Sequence, residues 1–281
     1  MTSGGSAGTS GSAGSSSATA GSAGEFGGTA GSGGSSGDGN TTGGSSFVPP
    51  TCDGDTSAAL PDNAPELTPG VWKNIDAVDN YYANGVVFDV CNPAILYTAG
   101  GVYPNGFSPG MGGVFRSTDA GSTWEKLVEL DSPARARIDP NDPLHLYVVD
   151  GVNGSTMGFW RTRDGGKTWE IPDGFKTVAS SPEINLFDAY DDSADPADFN
   201  HVLVTFHNPW AAFNGASGVL ESFDGGDNWV VHEPEPEWAG AYGYDVFFLY
   251  QPELEIGDSQ TWLFGTQGNG YWRTTDSGTS W

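Results

Sequence analysis

The chain has 281 residues, and its 36 acidic against 10 basic side chains give a formal net charge of −26. A surface this acidic repels the phosphates of nucleic acids and the anionic headgroups of lipids, so neither is an expected partner. No apolar run approaches the roughly 20 residues of a membrane-spanning helix, so no transmembrane segment is expected.

The N-terminal part has a composition that cannot build a core. Of residues 1–46, 41 are Gly, Ser, Ala or Thr, and such a segment buries too little apolar surface to offset the entropy of ordering it. It also lacks the charged and apolar regions of a signal peptide. We therefore expect a disordered linker at 1–46, a short segment leading into the fold at 47–71, and a folded domain at 72–281.

The two cysteines, Cys52 and Cys91, have no further Cys or His at the spacing of a metal site. In an oxidising compartment they are candidates for one disulfide, and otherwise they are two unrelated thiols. The sequence contains no phosphate loop, dinucleotide fingerprint or Ser-His-Asp grouping. We therefore expect neither a bound metal nor a cofactor.

Four segments of the chain align without gaps, which is the signature of a repeat architecture. They read GVFRSTDAGSTW (113–124), GFWRTRDGGKTW (158–169), GVLESFDGGDNW (218–229) and GYWRTTDSGTSW (270–281). Each places Asp two residues after a Ser or Thr, Gly two residues after the Asp, and Trp at its end. These structural positions are Asp119, Gly121, Trp124, Asp164, Gly166, Trp169, Asp224, Gly226, Trp229, Asp276, Gly278 and Trp281.

The chemistry of this repeated segment is that of a hairpin turn. The Asp can accept backbone N–H groups, the hydroxyl before it adds a partner, and the Gly supplies a positive φ. The Trp then opens the next strand as a large apolar anchor. Two further strand-like runs precede each segment, so the sequence predicts four strands in every 49 to 57 residues, the spacing from Asp89 to Asp139, Asp188 and Asp245. Four-stranded units at this period are propeller blades.

The string Ser/Thr-x-Asp-x-Gly-x-Thr/Ser-Trp resembles the Asp-box, or bacterial neuraminidase repeat, of sialidases, xyloglucan-degrading glycoside hydrolases, sortilin-type receptor ectodomains and a photosystem assembly factor. The resemblance covers 72–281 and implies an all-β propeller with about four blades in this chain. Because the families that share the motif do different things, it implies no single activity. The chain stops at Trp281, before the strand that this residue should open, so we expect a fragment of a propeller of six to eight blades.

Blade geometry predicts where a site lies. The loops between second and third strands share one face with the crossings between blades, and the repeated turns lie on the opposite face. The repeated Asp residues are therefore expected to be scaffold, and the loop face to hold any site. Aromatic side chains on this face either stack on sugars or pack the loops. The candidate ligand residues are Tyr81, Tyr82, Tyr103, Phe107, Arg135, Trp210, Trp238 and Tyr242.

The charged residues favour one glycosidase class over another. A sialidase needs three Arg to clamp a carboxylate, but Arg116, Arg161 and Arg273 share one repeated third-strand position and are expected to be structural. Another glycoside hydrolase needs two carboxylates that flank the scissile bond. The loop face offers several without singling out a pair, so the catalytic residues stay unknown: Asp76, Asp79, Asp131, Asp150, Glu183, Glu233, Glu235 and Glu237.

Other acidic and imidazole groups are expected to be structural. The stretch DDSADPADFN (191–200) lacks the Gly and closing Glu of an EF-hand loop, which favours an acidic surface turn over a calcium site. Asp89, Asp139, Asp188 and Asp245 recur at the ends of predicted first strands and are expected in turns. His145 and His201 begin second strands and are expected to pack there.

These observations predict a secreted or cell-envelope propeller whose loop face binds carbohydrate. The acidic, Trp-rich composition and the Gly/Ser tether favour export. If the chain is an enzyme, the resemblance implies a glycoside hydrolase of the xyloglucanase kind rather than the sialidase kind. The alternative is a non-catalytic propeller that binds a protein partner, as the sortilin-like and assembly-factor-like relatives imply.

Overall fold

Fourteen strands form four antiparallel sheets within the described part of the chain. The structure, a computed structural model, describes residues 60–66, 69, 81–102, 112–151, 154–238, 242–251 and 257–281. They all belong to one compact unit, Gly44–Trp281. The predicted linker, Cys52, Asp76, Asp79, Tyr103 and Phe107 lie outside the described residues, as do the side chains of Tyr81 and Tyr82.

The first sheet has the four strands that the repeat predicts, and they pair in chain order. Its strands are β1 (Tyr81–Phe88), β2 (Leu96–Val102), β3 (Gly113–Ser117) and β4 (Glu125–Val128). Asp89 follows β1 and accepts the amides of Cys91 at 2.8 Å and Asn92 at 3.2 Å, which confirms its predicted turn role. Cys91 is disulfide-bonded, and its pairing with Cys52 stays a prediction.

The second sheet has three strands and differs from the predicted four. They are β5 (Arg137–Ile138), β6 (Leu146–Asp150) and β7 (Gly158–Thr162). The fourth strand is reduced to a single bridge between Arg161 and Glu170. Pro172, which has no N–H to give a ladder, then leads into an unpredicted helix, α1 (Asp173–Ala179), whose Phe175 and Ala179 are buried.

The third sheet corrects the predicted position of an innermost strand. Its strands are β8 (Ala189–Asp195), β9 (Asp198–Phe206), β10 (Val219–Ser222) and β11 (Val230–His232). The prediction that a first strand ends at Asp188 was wrong, because β8 begins at the next residue, and the stretch predicted as an acidic surface turn forms β8 and the start of β9. Asp195, rather than Asp188, takes the turn role and accepts the amide of Ala197 at 2.8 Å.

The fourth sheet has three strands among the described residues, which pair in chain order. They are β12 (Gly243–Phe248), β13 (Trp262–Thr266) and β14 (Gly270–Thr274). Asp245 lies inside β12 and not in a turn at its end, so its predicted turn role was wrong.

Three apolar clusters lie between successive sheets. Val114, Ala136 and Val148 join the first and second sheets, whereas the neighbouring residues Tyr147 and Val149 face the third sheet. This alternation is the two-residue period of a strand that is buried on both sides. Leu203 and Val246 belong to the cluster between the third and fourth sheets. The sheets therefore stack face to face as consecutive blades, confirming the predicted β-propeller fold.

All four repeated turns have the same hydrogen bonds. The Ser or Thr hydroxyl donates to the Asp side chain at 2.7–2.9 Å and accepts the Gly amide at 2.8–2.9 Å. The Asp accepts the amide four residues after it at 2.8–3.0 Å. The Gly residues have φ between 73° and 96°. Because every Asp oxygen bonds inside its own turn, these acids act as scaffold.

The turn tryptophans and third-strand arginines join one sheet to another. Trp169 and Trp229 pack against the cluster that precedes their own sheet. Arg116 Nη1 donates to the carbonyl of Gly165 at 3.1 Å, and Arg161 Nη1 donates to that of Gly225 at 2.9 Å. The predicted structural role of these two arginines is therefore confirmed.

Candidate functional site

Four ring side chains meet on the loop face where the third and fourth sheets adjoin. His207 follows β9 directly, Tyr190 lies at the start of β8, and Tyr242 and Tyr244 lie just before and in β12. The rings of His207 and Tyr242 are nearly parallel, with centroids 5.1 Å apart, and those of Tyr190 and Tyr244 are 4.9 Å apart. We name Tyr190, His207, Tyr242 and Tyr244 the aromatic cluster.

The aromatic cluster is accessible, because Tyr242 is 39% exposed and the other three rings are half-buried. Burial lowers the pKa of His207 from its usual value, which keeps its imidazole neutral near pH 7. Neutral, partly exposed rings offer flat apolar faces together with polar edges. Such a surface suits ligands that have apolar C–H faces and hydroxyl groups.

A half-buried carboxylate lies beside the aromatic cluster. Asp245 follows Tyr244 in β12, and its Oδ2 accepts a hydrogen bond from the Tyr271 hydroxyl at 2.8 Å. Tyr271 is 63% exposed, and this bond raises the pKa of its phenol. Asp245 also acts electrostatically on Tyr190 of the aromatic cluster, so this carboxylate borders the cluster.

A group of buried charged side chains lies on the innermost strands, beginning one residue after Tyr190. Asp191 and Asp192 of β8 are buried, and the guanidinium of Arg137 in β5 lies 3.6 Å from Asp191 Oδ1 and 3.5 Å from Asp192 Oδ1. Burial, aided by the charge of Asp192, raises the pKa of Asp191 to about 7. Burial likewise raises the pKa of Asp192.

A sequence signal for these carboxylates existed. The dipeptide Tyr-Asp occurs at 190–191 and again at 244–245. The strand registers make the two copies equivalent, since Asp192 lies opposite Val204 and Val246 lies opposite Phe264. Alignment of the innermost strands, rather than of the turns, would have identified it.

Two other loop-face carboxylates are used in packing. Asp150 Oδ1 accepts the amide of Ser132 at 2.9 Å, and its Oδ2 accepts that of Asp131 at 3.1 Å. Asp131 Oδ2 accepts the Ser155 hydroxyl at 3.1 Å. Both acids are buried and hold adjoining loops together. Burial raises the pKa of Asp150 above its usual value.

The candidate ligand residues separate into two groups. Tyr242 and Arg135 are exposed. Trp210 and Trp238 are fully buried and unavailable to a ligand. These two side chains therefore pack the loops. Trp210 packs edge-to-face on Phe206, with centroids 5.5 Å apart, and Trp238 lies 4.7 Å from the ring of Phe264.

A second buried charge cluster lies towards the opposite end of the third sheet. His201 Nδ1 is 3.1 Å from Asp195 Oδ2 and its Nε2 is 2.8 Å from Glu221 Oε1, while His232 Nε2 is 2.8 Å from Glu221 Oε2. Phe248 packs on the His201 ring at 4.7 Å. Enclosed by rings, this cluster is structural, as predicted for His201.

In the part of the chain that the structure describes, no group of three or more His, Cys, Asp or Glu side chains could hold a metal ion.

The chain is similar in sequence to several xyloglucanases. No protein-family model matches the chain. The chain is 34% identical over 111 residues to the xyloglucanase Xgh74A of Acetivibrio thermocellus, a match that covers 36% of this chain and 13% of that protein. It is 27% identical over 225 residues to a xyloglucanase from a Paenibacillus species, covering 68% of this chain and 19% of the relative.

The chain thus spans less than a fifth of the length of these two relatives. Among solved structures, it is similar to an ancestral GH74 enzyme with a TM-score of 0.49 and 17% identity, over 75% of this chain and 25% of the other. Within the described residues, no helix is long and apolar enough to cross a membrane.

Proposed function

We propose that the loop face binds a xyloglucan-like polysaccharide and that the chain belongs to an exported glycoside hydrolase of the xyloglucanase kind. The observation that carries this proposal is the accessible aromatic cluster with the carboxylate of Asp245 at its edge. Sugar rings stack their C–H faces on aromatic side chains, and hydroxyl groups bond to adjoining polar edges. The similarity to xyloglucanases supports the choice of polysaccharide.

Glycoside hydrolysis needs two carboxylates that flank the scissile bond, of which we propose Asp245 as one. Asp245 is half-buried, borders the aromatic cluster and is oriented by the Tyr271 hydroxyl. We assign it as the carboxylate that a bound chain would meet. Asp131 and Asp150 are less suited, because their oxygens hold buried loop amides.

Binding to xyloglucan oligosaccharides, measured by calorimetry, tests the proposal. Replacing Tyr242 with Ala removes a stacking surface, and the loss is expected to be about tenfold in affinity, since one aromatic contact contributes roughly 0.5–1.5 kcal/mol beyond its buried area. Phe88→Ala is the matched control, because Phe88 is 54% exposed on β1, away from the aromatic cluster. Equal affinity of the Tyr242→Ala variant and the parent chain would contradict the proposal.

Catalysis is tested separately from binding. Asp245→Asn keeps the size of the side chain and its bond to Tyr271 but removes the charge. The variant should still bind xyloglucan oligosaccharides but should no longer release new reducing ends from xyloglucan. This comparison uses a parent chain that cleaves xyloglucan. Binding without cleavage in the parent chain would instead favour a non-catalytic propeller. Failure to bind any plant, bacterial or sialylated glycan would favour a protein partner.

A further inference from the structure

The Arg137 side chain crosses from the innermost strand of the second sheet to that of the third. Its Nη2 lies 3.6 Å from Asp191 Oδ1 and also donates to the main-chain carbonyl of Asp192. Its Nε lies 3.5 Å from Asp192 Oδ1. One guanidinium therefore contacts two neighbouring carboxylates and the backbone of β8.

Asp191 continues this connection to the fourth sheet. Its Oδ2 accepts the main-chain amide of Val246 in β12 at 3.2 Å. Two residues along β8, Ser193 Oγ accepts the amide of Phe248 at 3.3 Å. Since alternate residues of a strand point the same way, side chains of β8 bond the free edge of β12. We name Arg137, Asp191, Asp192 and Val246 the inner-strand clasp.

The charges of the clasp do not balance when both carboxylates are ionised. Asp192 is fully buried, and neither of its side-chain oxygens has a hydrogen-bond donor among the described residues. Two buried negative charges beside one half-buried cation are costly, so one carboxyl is expected to keep a proton near neutral pH. Burial and the neighbouring Asp192 charge raise the pKa of Asp191 to about 7, against the opposing charges of Arg137 and Arg135.

The remaining groups that face Asp191 belong to the proposed binding surface. Tyr190 precedes it in β8, and Asp191 acts electrostatically on both Tyr190 and Tyr271, as does Asp245 of β12. Thr205 also donates its hydroxyl to the carbonyl of Tyr244 at 2.7 Å. The clasp is therefore bonded into the two strands that carry Tyr190 and Tyr244.

We propose that Arg137, together with a proton kept by Asp191 or Asp192, positions the aromatic cluster by holding three consecutive innermost strands together. This inference rests on the proposed polysaccharide function. Loss of this proton leaves a net negative charge in the clasp, which separates β5, β8 and β12 and with them the rings of Tyr190 and Tyr244. Arg137 is a positioning residue, and glycan affinity falls as the pH rises through neutral.

Xyloglucan oligosaccharide binding at about pH 6 and about pH 8 tests the inference. If binding requires a proton that titrates near 7, affinity falls about tenfold over this interval. Asp192→Asn removes one negative charge and should make affinity nearly independent of pH. Arg137→Gln should weaken binding at both pH values, and Arg137→Lys, which keeps the charge, should restore part of it. Arg163→Gln, in an exposed turn, is the control and should match the parent chain.

Thermal unfolding of the same variants separates this inference from the proposed function. The midpoint of the parent chain should fall between about pH 6 and about pH 8, and that of Asp192→Asn should fall less. If the parent chain and the Asp192→Asn variant both bind with the same pH dependence, the role of the clasp is overturned and the proposed polysaccharide function is not. Absence of binding at every pH would refute the proposed function, and an unfolding midpoint insensitive to Asp192→Asn would then overturn the clasp as well.

Discussion

Arg161 of the second sheet donates a hydrogen bond from Nη1 to the carbonyl of Gly225 in the third, at 2.9 Å. The same guanidinium pairs with Asp227 at 2.7 Å and Glu170 at 2.9 Å. Its equivalent in the first sheet, Arg116, reaches Gly165 in the same way. In the third sheet, Glu221 replaces the arginine and pairs with His201 and His232. In the first three sheets, third-strand side chains thus join their blade either to the next turn or to neighbouring strands of the same blade.

Removing the Arg161 connection should destabilise the protein. Arg161→Met keeps much of the apolar stem but leaves the buried Gly225 carbonyl without its donor, at an expected loss of about 2 kcal/mol in the free energy of unfolding. Arg116→Met should cost less, because the Arg116 side chain is 26% exposed against 9% for Arg161. Urea denaturation measures both values, and an equal or larger loss for Arg116→Met would contradict the argument.

The repeated turns should depend on their hydroxyl. Thr162 donates to Asp164 at 2.8 Å and accepts the buried amide of Gly166 at 2.9 Å. Thr162→Val has nearly the same shape but leaves the buried Gly166 amide without its acceptor, so the free energy of unfolding should fall by about 1–3 kcal/mol. Thr162→Ser retains the hydroxyl and should lie close to the parent. A neutral Thr162→Val variant in the same denaturation assay would show that the turn is formed by other contacts.

Two glycines with similar backbone angles should tolerate alanine differently. Gly226 has φ 96° and Gly268 has φ 94°, so alanine at either is strained by about 1–2 kcal/mol. A Cβ at Gly226 would also lie 2.8 Å from the Phe159 ring, whereas one at Gly268 meets open space. Gly226→Ala should therefore cost about 1–3 kcal/mol more. Calorimetric melting of both variants checks the difference, and equal losses would mean that the ring moves freely aside.

Two buried histidines should give stability opposite dependences on pH. Burial acts to lower the pKa of His201, but its bonds to Asp195 and Glu221 outweigh this and raise the pKa to about 9. The pKa of His201 is then higher in the folded than in the unfolded chain. Its contribution to stability is therefore complete below about pH 6.5 and is lost as the pH rises through about 9. His201→Gln should flatten the stability profile in that window.

His145 has the reverse shift, since burial lowers its pKa to about 4. The unfolded chain binds the extra proton between about 4 and 6.5, so stability falls as the pH decreases through this window. His145→Gln should flatten the acid side of the profile and leave the alkaline side unchanged. Thermal midpoints measured across both windows distinguish the variants, and identical profiles for the two would contradict both assignments.

Much of the fold was predictable from the sequence because its repeated elements are local. The hydroxyl, Asp and Gly of each turn bond within five residues, so the string that encodes them also encodes their geometry. The Trp at the end of each string packs into the neighbouring interface, and the 49- to 57-residue spacing identifies the blade. The residue after each turn Asp also has positive φ, as at Ala120 and Ser277, which the string did not suggest.

The parts that sequence reasoning missed depend on what a neighbouring sheet presents. The stretch beginning at Asp191 has the composition of a surface turn, yet it becomes a buried strand because Arg137 and the amide of Val246 come from adjoining sheets to meet its carboxylates. Trp210 and Trp238 are aromatic loop residues of the kind that stack on sugars, yet the loops fold back and place them in the core. By itself the sequence determined the turns, their period and the blade fold, because those interactions are short in range. Only the tertiary structure decided which acids and aromatic rings face a ligand, because burial and pairing depend on residues more than 50 positions apart.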